Sequence, residues 1–498
     1  MTFKNLFSIS ILTFFSLFIT IDAQTSISTL SSSLPLQQQI PYYPCVNYEA
    51  NRLIYPADSS SLHYFYSLLD TLSLYGNGHI NIVHLGGSHI QADIMTNRLR
   101  QNFTQCLPGF SSSRGIIFPF RAGKTNNPTN YTISYSGSWS RCQNSLPPID
   151  RTLGITGIAV STNDRYASIS FNLNPNNSGT NWRYNKLRLM ASLSDTTLTP
   201  VLIVDNDTIV PHTSYHCTDL PFDTLATLSP TTYYTYRLPY TTAYGTLVLV
   251  SNNRLSNIFS DTILSAININ CDTLTNDSTI VIGDELNIGL ESDNESVVSS
   301  QDIMFPNNIV DNKLFTINGF ILEYDEPGIT IHSLGVNGAS LPSWLRCADF
   351  EYQLNMLNPD LVIMAVGVND ANVPFGRFNK TDYINNYNAI ISQIHRVNPN
   401  CAILFVTNND CVLRTGRRSY GPNRNTALVV EAMTTLAAQH NTALWDMYGV
   451  MGGLGSMALW RDQGLANPDR VHFFAPGYTL LADLMYNSII YDWLYRKQ

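Results

Sequence analysis

Hydrophobic residues occur in short runs along the chain, and their spacing changes twice. From residue 42 to 107, and again from 326 to 498, short apolar runs such as "INIVHL" and "LVIMAV" alternate with longer stretches such as "SLHYFYSLLDTLSLYG" and "TDYINNYNAIISQIHRV". The short runs have the length of buried strands, and the longer stretches have apolar residues at helical spacing. Strands that alternate with helices predict a parallel sheet connected by crossover helices.

Between residues 108 and 325 the pattern is different. Short alternating runs such as "ASISFNLN", "KLRLMASL" and "GTLVLVSN" are separated by Thr, Ser, Asn and Gly. This pattern predicts an all-β sandwich or jelly roll. Because the strand "INIVHL" belongs with the α/β pattern that follows the β-rich block, we interpret the block as an insertion. The interrupted α/β domain, 42–107 and 326–498, has 239 residues, an ordinary size for one domain.

The first 23 residues have the pattern of a secretory signal peptide. One Lys precedes an apolar run, and small residues surround Ala23. An uncleaved membrane anchor is the alternative, and the apolar run is at the lower limit for spanning a bilayer. Residues 24–41 are polar and indicate a flexible leader. We expect an exported protein that is periplasmic, on the cell surface or extracellular, with no membrane span after signal removal.

The composition excludes some classes of function. A net charge of -9 over 498 residues argues against a general nucleic-acid binder, which needs a basic surface. The eight cysteines are widely spaced, and neither a CxxC pair nor a Cys/His cluster offers a zinc site. They predict either a few disulfides or buried free thiols. We expect neither a metal nor another cofactor.

The candidate chemistry lies at the carboxyl ends of the predicted strands, where parallel sheets gather their sites. Ser88 ("GGSHIQA"), Gly338 ("VNGAS") and Asn369 ("GVND") each follow a strand, and Asp469 and His472 ("DRVH") precede the last helix. A serine hydroxyl needs a base, and a His held by an Asp supplies one. The backbone N–H groups of Ser88 and Gly338 and the side-chain amide of Asn369 predict an oxyanion hole.

These four motifs resemble the four blocks of the SGNH (GDSL-type) hydrolases. The resemblance covers the 239 α/β residues and implies a flavodoxin-like three-layer α/β/α fold that hydrolyses esters without a metal. It implies Ser88 as nucleophile, Asp469 and His472 as the rest of the triad, and Gly338 and Asn369 as partners of Ser88 in the oxyanion hole.

Within that family the chain is most similar to exported bacterial peptidoglycan O-acetylesterases. These also carry, after the first block, an inserted β-sandwich that resembles a carbohydrate-binding module. The resemblance implies a secreted serine esterase that removes O-acetyl or other short acyl groups from a glycan, either peptidoglycan or another polysaccharide. The alternatives are a lipid or thioester hydrolase, and a non-catalytic glycan-binding protein on the same scaffold.

Some residues around these motifs have two interpretations. The first block usually has Asp where this chain has Gly87, and His89 and Asp93 are candidates to replace the hydrogen bonds of that Asp. His89, Arg414, Arg417 and Arg418 are candidates for substrate binding, although the arginines fit a solvated loop as well as a clamp for an anionic substrate. Five aromatic residues of the insertion fit either a sandwich core or sugar stacking: Trp139, Trp182, Tyr233, Tyr234 and Tyr236.

Overall fold

The computed structural model describes residues 37–106, 113–176, 179–193, 198–205, 207–216, 232–251, 314–417 and 419–495. The predicted signal peptide, and the predicted leader up to residue 36, lie outside the described residues. No helix in these ranges is both long enough and apolar enough to cross a membrane.

Strands and helices are numbered here in chain order. The strands are β1 (Leu53–Ile54), β2 (His79–Gly86), β3 (Gly115–Ile117), β4 (Thr132–Ser136), β5 (Ser140–Gln143), β6 (Ile158–Thr162), β7 (Ser168–Asn172), β8 (Tyr184–Leu193), β9 (Leu198–Val204), β10 (Asp207–Ile209), β11 (Thr213–His216), β12 (Thr232–Thr242), β13 (Tyr244–Ser251), β14 (Phe315–Glu323), β15 (Gly328–Gly335), β16 (Leu361–Ala365), β17 (Ala402–Val406), β18 (Val412–Arg414), β19 (Tyr420–Pro422) and β20 (Ala443–Trp445). The α-helices are α1 (His63–Tyr75), α2 (Ser88–Gln91), α3 (Ile94–Cys106), α4 (Leu341–Trp344), α5 (Phe350–Leu357), α6 (Lys380–Val397), α7 (Asn425–Gln439), α8 (Met447–Met451), α9 (Ser456–Asp462) and α10 (Ala475–Tyr495). Short 3₁₀ helices cover Tyr48–Ala50 and Ser59–Leu62.

A six-stranded sheet forms the centre of the α/β domain, in the order β1-β20-β17-β16-β2-β15. Only β1 is antiparallel to its neighbour, and the other five strands are parallel. Counted along the chain, the five parallel strands have the order 2-1-3-4-5, which is the flavodoxin-like order. The predicted fold class is confirmed.

Strand β2 explains why this sheet has a layer of helices on each face. Its side chains alternate, so that Ile80 and Ile82 pack into one apolar cluster and Val83 and Leu85 into another. The first cluster takes apolar residues of α1, α3 and α10, and the second takes those of α5, α6 and α7. Both faces of the sheet are therefore buried, as its apolar strands predict.

Two predicted helices are interrupted in the structure. The sequence predicts one helix after Ser88, but the structure has two, α2 and α3. Asp93 lies between them with φ 56°. The Asp93 carboxylate is bonded to Arg100, Arg114 and Asn130, so these contacts hold the break. The stretch 342–357 likewise divides into α4 and α5. Sequence analysis missed α8, α9 and the β18–β19 hairpin.

The inserted block is an antiparallel two-sheet sandwich. One sheet has the order β10-β9-β13-β7-β4, and the other has β11-β12-β8-β14-β6-β5 with β3 also paired to β14. Side chains from both sheets, including Phe171 and Phe320, form a shared apolar core. The five aromatic residues singled out in the sequence are all at most 9% exposed. Their burial favours packing over sugar stacking.

The sandwich and the α/β domain share buried contacts. Met190, Tyr233 and Ile321 of the sandwich belong to the same apolar cluster as Val83 and the helices beside it. The ring of Tyr233 stacks on Tyr352 of α5 with centroids 5.5 Å apart. The two parts therefore pack on each other through an apolar interface.

All five cysteines whose side chains the structure describes are free and buried: Cys45, Cys142, Cys347, Cys401 and Cys411. For these five, the structure favours buried thiols over disulfides. The side chains of Cys106, Cys217 and Cys271 lie outside the described residues.

Candidate active site

Ser88 is the first residue of the short helix α2, directly after the central strand β2. β2 lies between β15 and β16, at the point where the strand order reverses and where open α/β sheets bind ligands. Gly335, at the end of β15, makes this placement possible, because a Cβ there would collide with the backbone of Ile90 and Gln91. The absence of a side chain at Gly335 lets α2 lie against the strand end.

Ser88, His472 and Asp469 form a continuous hydrogen-bonded chain. Ser88 Oγ lies 2.7 Å from His472 Nε2, and His472 Nδ1 lies 2.7 Å from Asp469 Oδ2. Asp469 Oδ1 accepts the backbone N–H groups of Val471 and His472, each at 2.9 Å. Burial opposes ionisation of Asp469, but these hydrogen bonds and the His472 ring outweigh it and lower the pKa of the carboxyl. The pattern orients the imidazole to accept a proton from Ser88.

The three predicted oxyanion donors are the N–H groups of Ser88 and Gly338 and the Asn369 amide. The segments that carry Gly338 and Asn369 both come within 4 Å of the Cβ position of Gly87, next to Ser88. Gly338 is exposed and has φ +75°, a conformation that favours glycine. The Asn369 amide donates one hydrogen bond to Ala339 O at 2.9 Å, which leaves its second N–H. Among the described residues, none accepts the backbone N–H of Ser88 or of Gly338. These donors suit an oxyanion that forms next to Ser88 Oγ.

Asn409 was missed by the sequence reasoning. It is fully buried after β17, and its amide donates to Val471 O at 2.9 Å. Val412 N donates to Arg470 O at 3.1 Å, so the segment after β17 holds the loop that carries Asp469 and His472. The signal was present in "TNND", which follows a predicted strand as the other site motifs do.

Comparison with known proteins gives one family match and a set of similar solved structures. Residues 321–480 match the model of the GDSL-like lipase/acylhydrolase family. Gly338, Asn369, Asp469 and His472 lie within the matched segment. Ser88 precedes it and follows strand β2, which pairs with both β15 and β16. A search of curated proteins gave no match.

One solved structure aligns with most of this chain, and others align with about a third of it. A structure of a peptidoglycan O-acetylesterase aligns with 89% of this chain and 99% of its own, at 18% identity and a TM-score of 0.60. A lipase/acylhydrolase from Enterococcus faecalis (21% identity, 32% and 76% coverage) and an acetylxylan esterase from Geobacillus stearothermophilus (19%, 34% and 76%) each have a TM-score of 0.26. The first likeness shows a shared fold across both parts of the chain.

His89 packs against His472. The rings of His89 and His472 are 5.0 Å apart, and His89 Nδ1 lies 2.8 Å from Tyr478 Oη. Burial, with a contribution from His472, lowers the pKa of His89 to about 3, so its ring is neutral near pH 7. These contacts favour a role in positioning His472 over one in substrate binding.

Arg414 and Arg417, two of the candidate arginines, lie on the β18–β19 hairpin. The Arg414 guanidinium donates to Gly416 O at 3.0 Å and to Arg417 O at 2.8 Å, so it closes the hairpin turn. Arg417 is exposed, and Arg418 lies outside the described residues. Among the described residues, no three His, Cys, Asp or Glu side chains come together as a metal site requires.

Proposed function

We propose that this protein is an exported serine esterase that removes O-acetyl groups from a glycan, with peptidoglycan as the first substrate to test. The observation that carries the proposal is the hydrogen-bonded chain from Ser88 Oγ through His472 to Asp469, beside three donors for an oxyanion. The likeness to a peptidoglycan O-acetylesterase across the sandwich supports the choice of substrate class.

In the acylation step, Ser88 Oγ attacks the acetyl carbonyl carbon while His472 Nε2 takes the hydroxyl proton. Asp469 stabilises the imidazolium that forms. The carbonyl oxygen becomes an oxyanion, which accepts hydrogen bonds from the Ser88 and Gly338 N–H groups and from the Asn369 amide. When the tetrahedral intermediate collapses, His472 gives its proton to the sugar oxygen, and the glycan leaves as an alcohol.

In the deacylation step, water attacks the acetyl-Ser88 ester. His472 accepts a proton from that water, and the same donors stabilise the second oxyanion. Collapse returns the proton to Ser88 Oγ and releases acetate. The reaction consumes one water for each acetyl group, and its proton transfers pass through His472.

The test is acetate release from O-acetylated peptidoglycan and acetylated xylan, together with hydrolysis of p-nitrophenyl acetate. We expect Ser88→Ala to lower kcat by about 10⁴-fold or more, and Asn369→Ala by about 10²–10³-fold. Ser392→Ala, which changes an exposed serine on α6, is the matched control and should leave kcat unchanged.

Two outcomes would contradict the proposal. Preference for long acyl chains in a p-nitrophenyl ester series would favour a lipid or thioester hydrolase. Glycan binding without turnover of any ester would favour a non-catalytic glycan-binding protein.

A further inference from the structure

The peptide group between Asn337 and Gly338 carries one of the three oxyanion donors. Its carbonyl belongs to Asn337 and its N–H to Gly338, and in a planar trans peptide these two groups point in opposite directions. A contact that fixes the direction of the Asn337 carbonyl therefore also fixes the direction of the Gly338 N–H. Contacts to this carbonyl decide how well the donor is aimed.

Two side chains of the inserted sandwich donate to that carbonyl. Gln143 Nε2, at the end of β5, lies 2.9 Å from Asn337 O, and Ser145 Oγ lies 2.7 Å from it. Gln143 Nε2 also donates to Ser145 Oγ at 2.7 Å. Both N–H groups of the Gln143 amide therefore donate hydrogen bonds. The Ser145 hydroxyl accepts one of them and donates its own proton to Asn337 O.

The donors are themselves held in place. Gln143 is 4% exposed. The carbonyl of Asn144, between the two donors, accepts hydrogen bonds from the Arg346 guanidinium at 2.6 and 3.1 Å. On the other side, Asn337 N donates to Gln91 Oε1 at 2.6 Å. A donor group with so many fixed partners loses little entropy when an oxyanion forms.

We propose that Gln143 and Ser145 are positioning residues for ester hydrolysis: the inserted sandwich aims and polarises the Gly338 N–H of the oxyanion hole. Hydrogen bonds accepted by a peptide carbonyl make the N–H of the same peptide a stronger donor. This inference rests on the proposed function. It gives the sandwich a role in the reaction itself, besides any contact it makes with the glycan.

Kinetics provide the first test, with p-nitrophenyl acetate as the substrate because it is too small to depend on a glycan contact. Ser145→Ala and Gln143→Met each remove a donor, and we expect each to lower kcat about 10-fold with KM within twofold of wild type. The double variant should lose about 100-fold. Ser145→Thr keeps the hydroxyl and should restore at least half of the wild-type kcat.

The matched control is Ser136→Ala in strand β4, whose hydroxyl bonds Tyr166 O and Ser168 Oγ within the sandwich. We expect it to leave kcat and KM unchanged. Unchanged kcat in Ser145→Ala, a loss confined to KM, or a loss that Ser145→Thr does not restore would overturn the proposal.

A second measurement does not need catalysis. The sequence contains three Asn–Gly pairs, 77–78, 318–319 and 337–338, so labelling Asn with ¹³C at the carbonyl and Gly with ¹⁵N selects three amide signals. In Ser145→Ala we expect the Gly338 amide proton to move upfield while Gly78 and Gly319 do not move. An unmoved Gly338 signal overturns the positioning role. A moved signal in a protein that hydrolyses no ester overturns the proposed function alone.

Discussion

At the scale of single residues, Gly87 matters because its lack of a side chain leaves room for the Asn369 amide. A Cβ at this position would lie 3.0 Å from Asn369 Nδ2 and 3.5 Å from Ala339 O. The amide of Asn369 therefore occupies the space into which a side chain at residue 87 would extend. The aspartate expected from the family pattern is absent, and the adjoining loop is held instead by the contacts of His89 and Gln91.

We expect Gly87→Ala to lower kcat several-fold, because the new methyl group would push the Asn369 amide by a few tenths of an ångström and small misplacements of catalytic groups are costly. Steady-state kinetics with p-nitrophenyl acetate provide the measurement. Gly421→Ala is the matched control, since its Cβ would meet only Thr415 Cγ2, at 3.6 Å. Equal kcat in the two variants would contradict the steric argument.

Asp370, next to Asn369, gives a prediction about pH. Burial raises the pKa of Asp370 to about 7, although the Leu341 N–H donates to its carboxylate at 3.1 Å. The folded protein therefore holds this proton in a pH range where the unfolded chain, with a pKa near 3.8, has lost it. The stability that this proton contributes is complete below about pH 4 and is lost as the pH rises to 7.

Asp370→Asn keeps an oxygen acceptor for the Leu341 N–H and removes the charge. We expect the Tm difference, variant minus wild type, to become more positive from pH 4 to pH 8. Thermal unfolding followed by circular dichroism in matched buffers measures it. A difference that stays constant over this range would show that Asp370 does not titrate as its burial implies.

At the scale of elements, the break between α2 and α3 connects the helix that begins at Ser88 to the sandwich. Both oxygens of Asp93 lie 3.1 Å from Arg100 Nη1, and Arg114 and Asn130, which lie beyond α3, donate to the same carboxylate. All four side chains are buried. Burial opposes the charge on Asp93, but the two arginines outweigh it and hold the pKa of the carboxyl below its usual value.

We expect Asp93→Ala to lower the free energy of unfolding by about 3–5 kcal/mol, because it leaves two buried guanidinium groups without their counter-charge. Urea denaturation measures the loss. The control is Asp462→Ala, which breaks an ion pair with Arg461. The Asp462 side chain is 60% exposed, so the loss should cost about 0–1 kcal/mol. Similar losses in both variants would mean that burial adds nothing to the Asp93 contacts.

The sequence predicts best those elements whose apolar residues have a strong periodic spacing. The spacing in "SLHYFYSLLDTLSLYG" and its final glycine predict α1, and the structure ends this helix at Gly76 in the left-handed conformation. The break at Asp93 was not predicted because its partners Arg114 and Asn130 lie beyond α3. The pattern within the helical stretch itself therefore does not indicate these contacts. Gln143 and Ser145 were missed for the same reason: their target, Asn337, is almost 200 positions away.

At the scale of the whole molecule, the described parts of the sandwich and of the α/β domain pack on each other. They share an apolar cluster, the stacked pair Tyr233–Tyr352 and the buried charges around Asp93. Interfaces between domains that move relative to each other are usually more polar than this one. The interface therefore couples the stability of the two parts.

We expect calorimetry to record one unfolding transition for both parts, with a calorimetric enthalpy close to the van't Hoff enthalpy. Near-ultraviolet circular dichroism and limited proteolysis should give the same midpoint. Two resolved transitions, with a protease-resistant sandwich surviving the first, would contradict this coupling.

The position of β2 has a consequence for the order of events during synthesis. Ile80 faces Ile329 on one side and Ile82 faces Leu361 on the other, so both neighbours of this strand leave the ribosome after the whole insertion. Until β15 and β16 are synthesised, both edges of the apolar segment that forms β2 lack their partners, and unpaired apolar strands are prone to aggregate. Folding of the sandwich shortens the search that follows synthesis, because pairing of Ile117 with Phe320 brings the two ends of the insertion together and places β15 near β2. Folding of the insertion thus turns a long search for a partner strand into a local one.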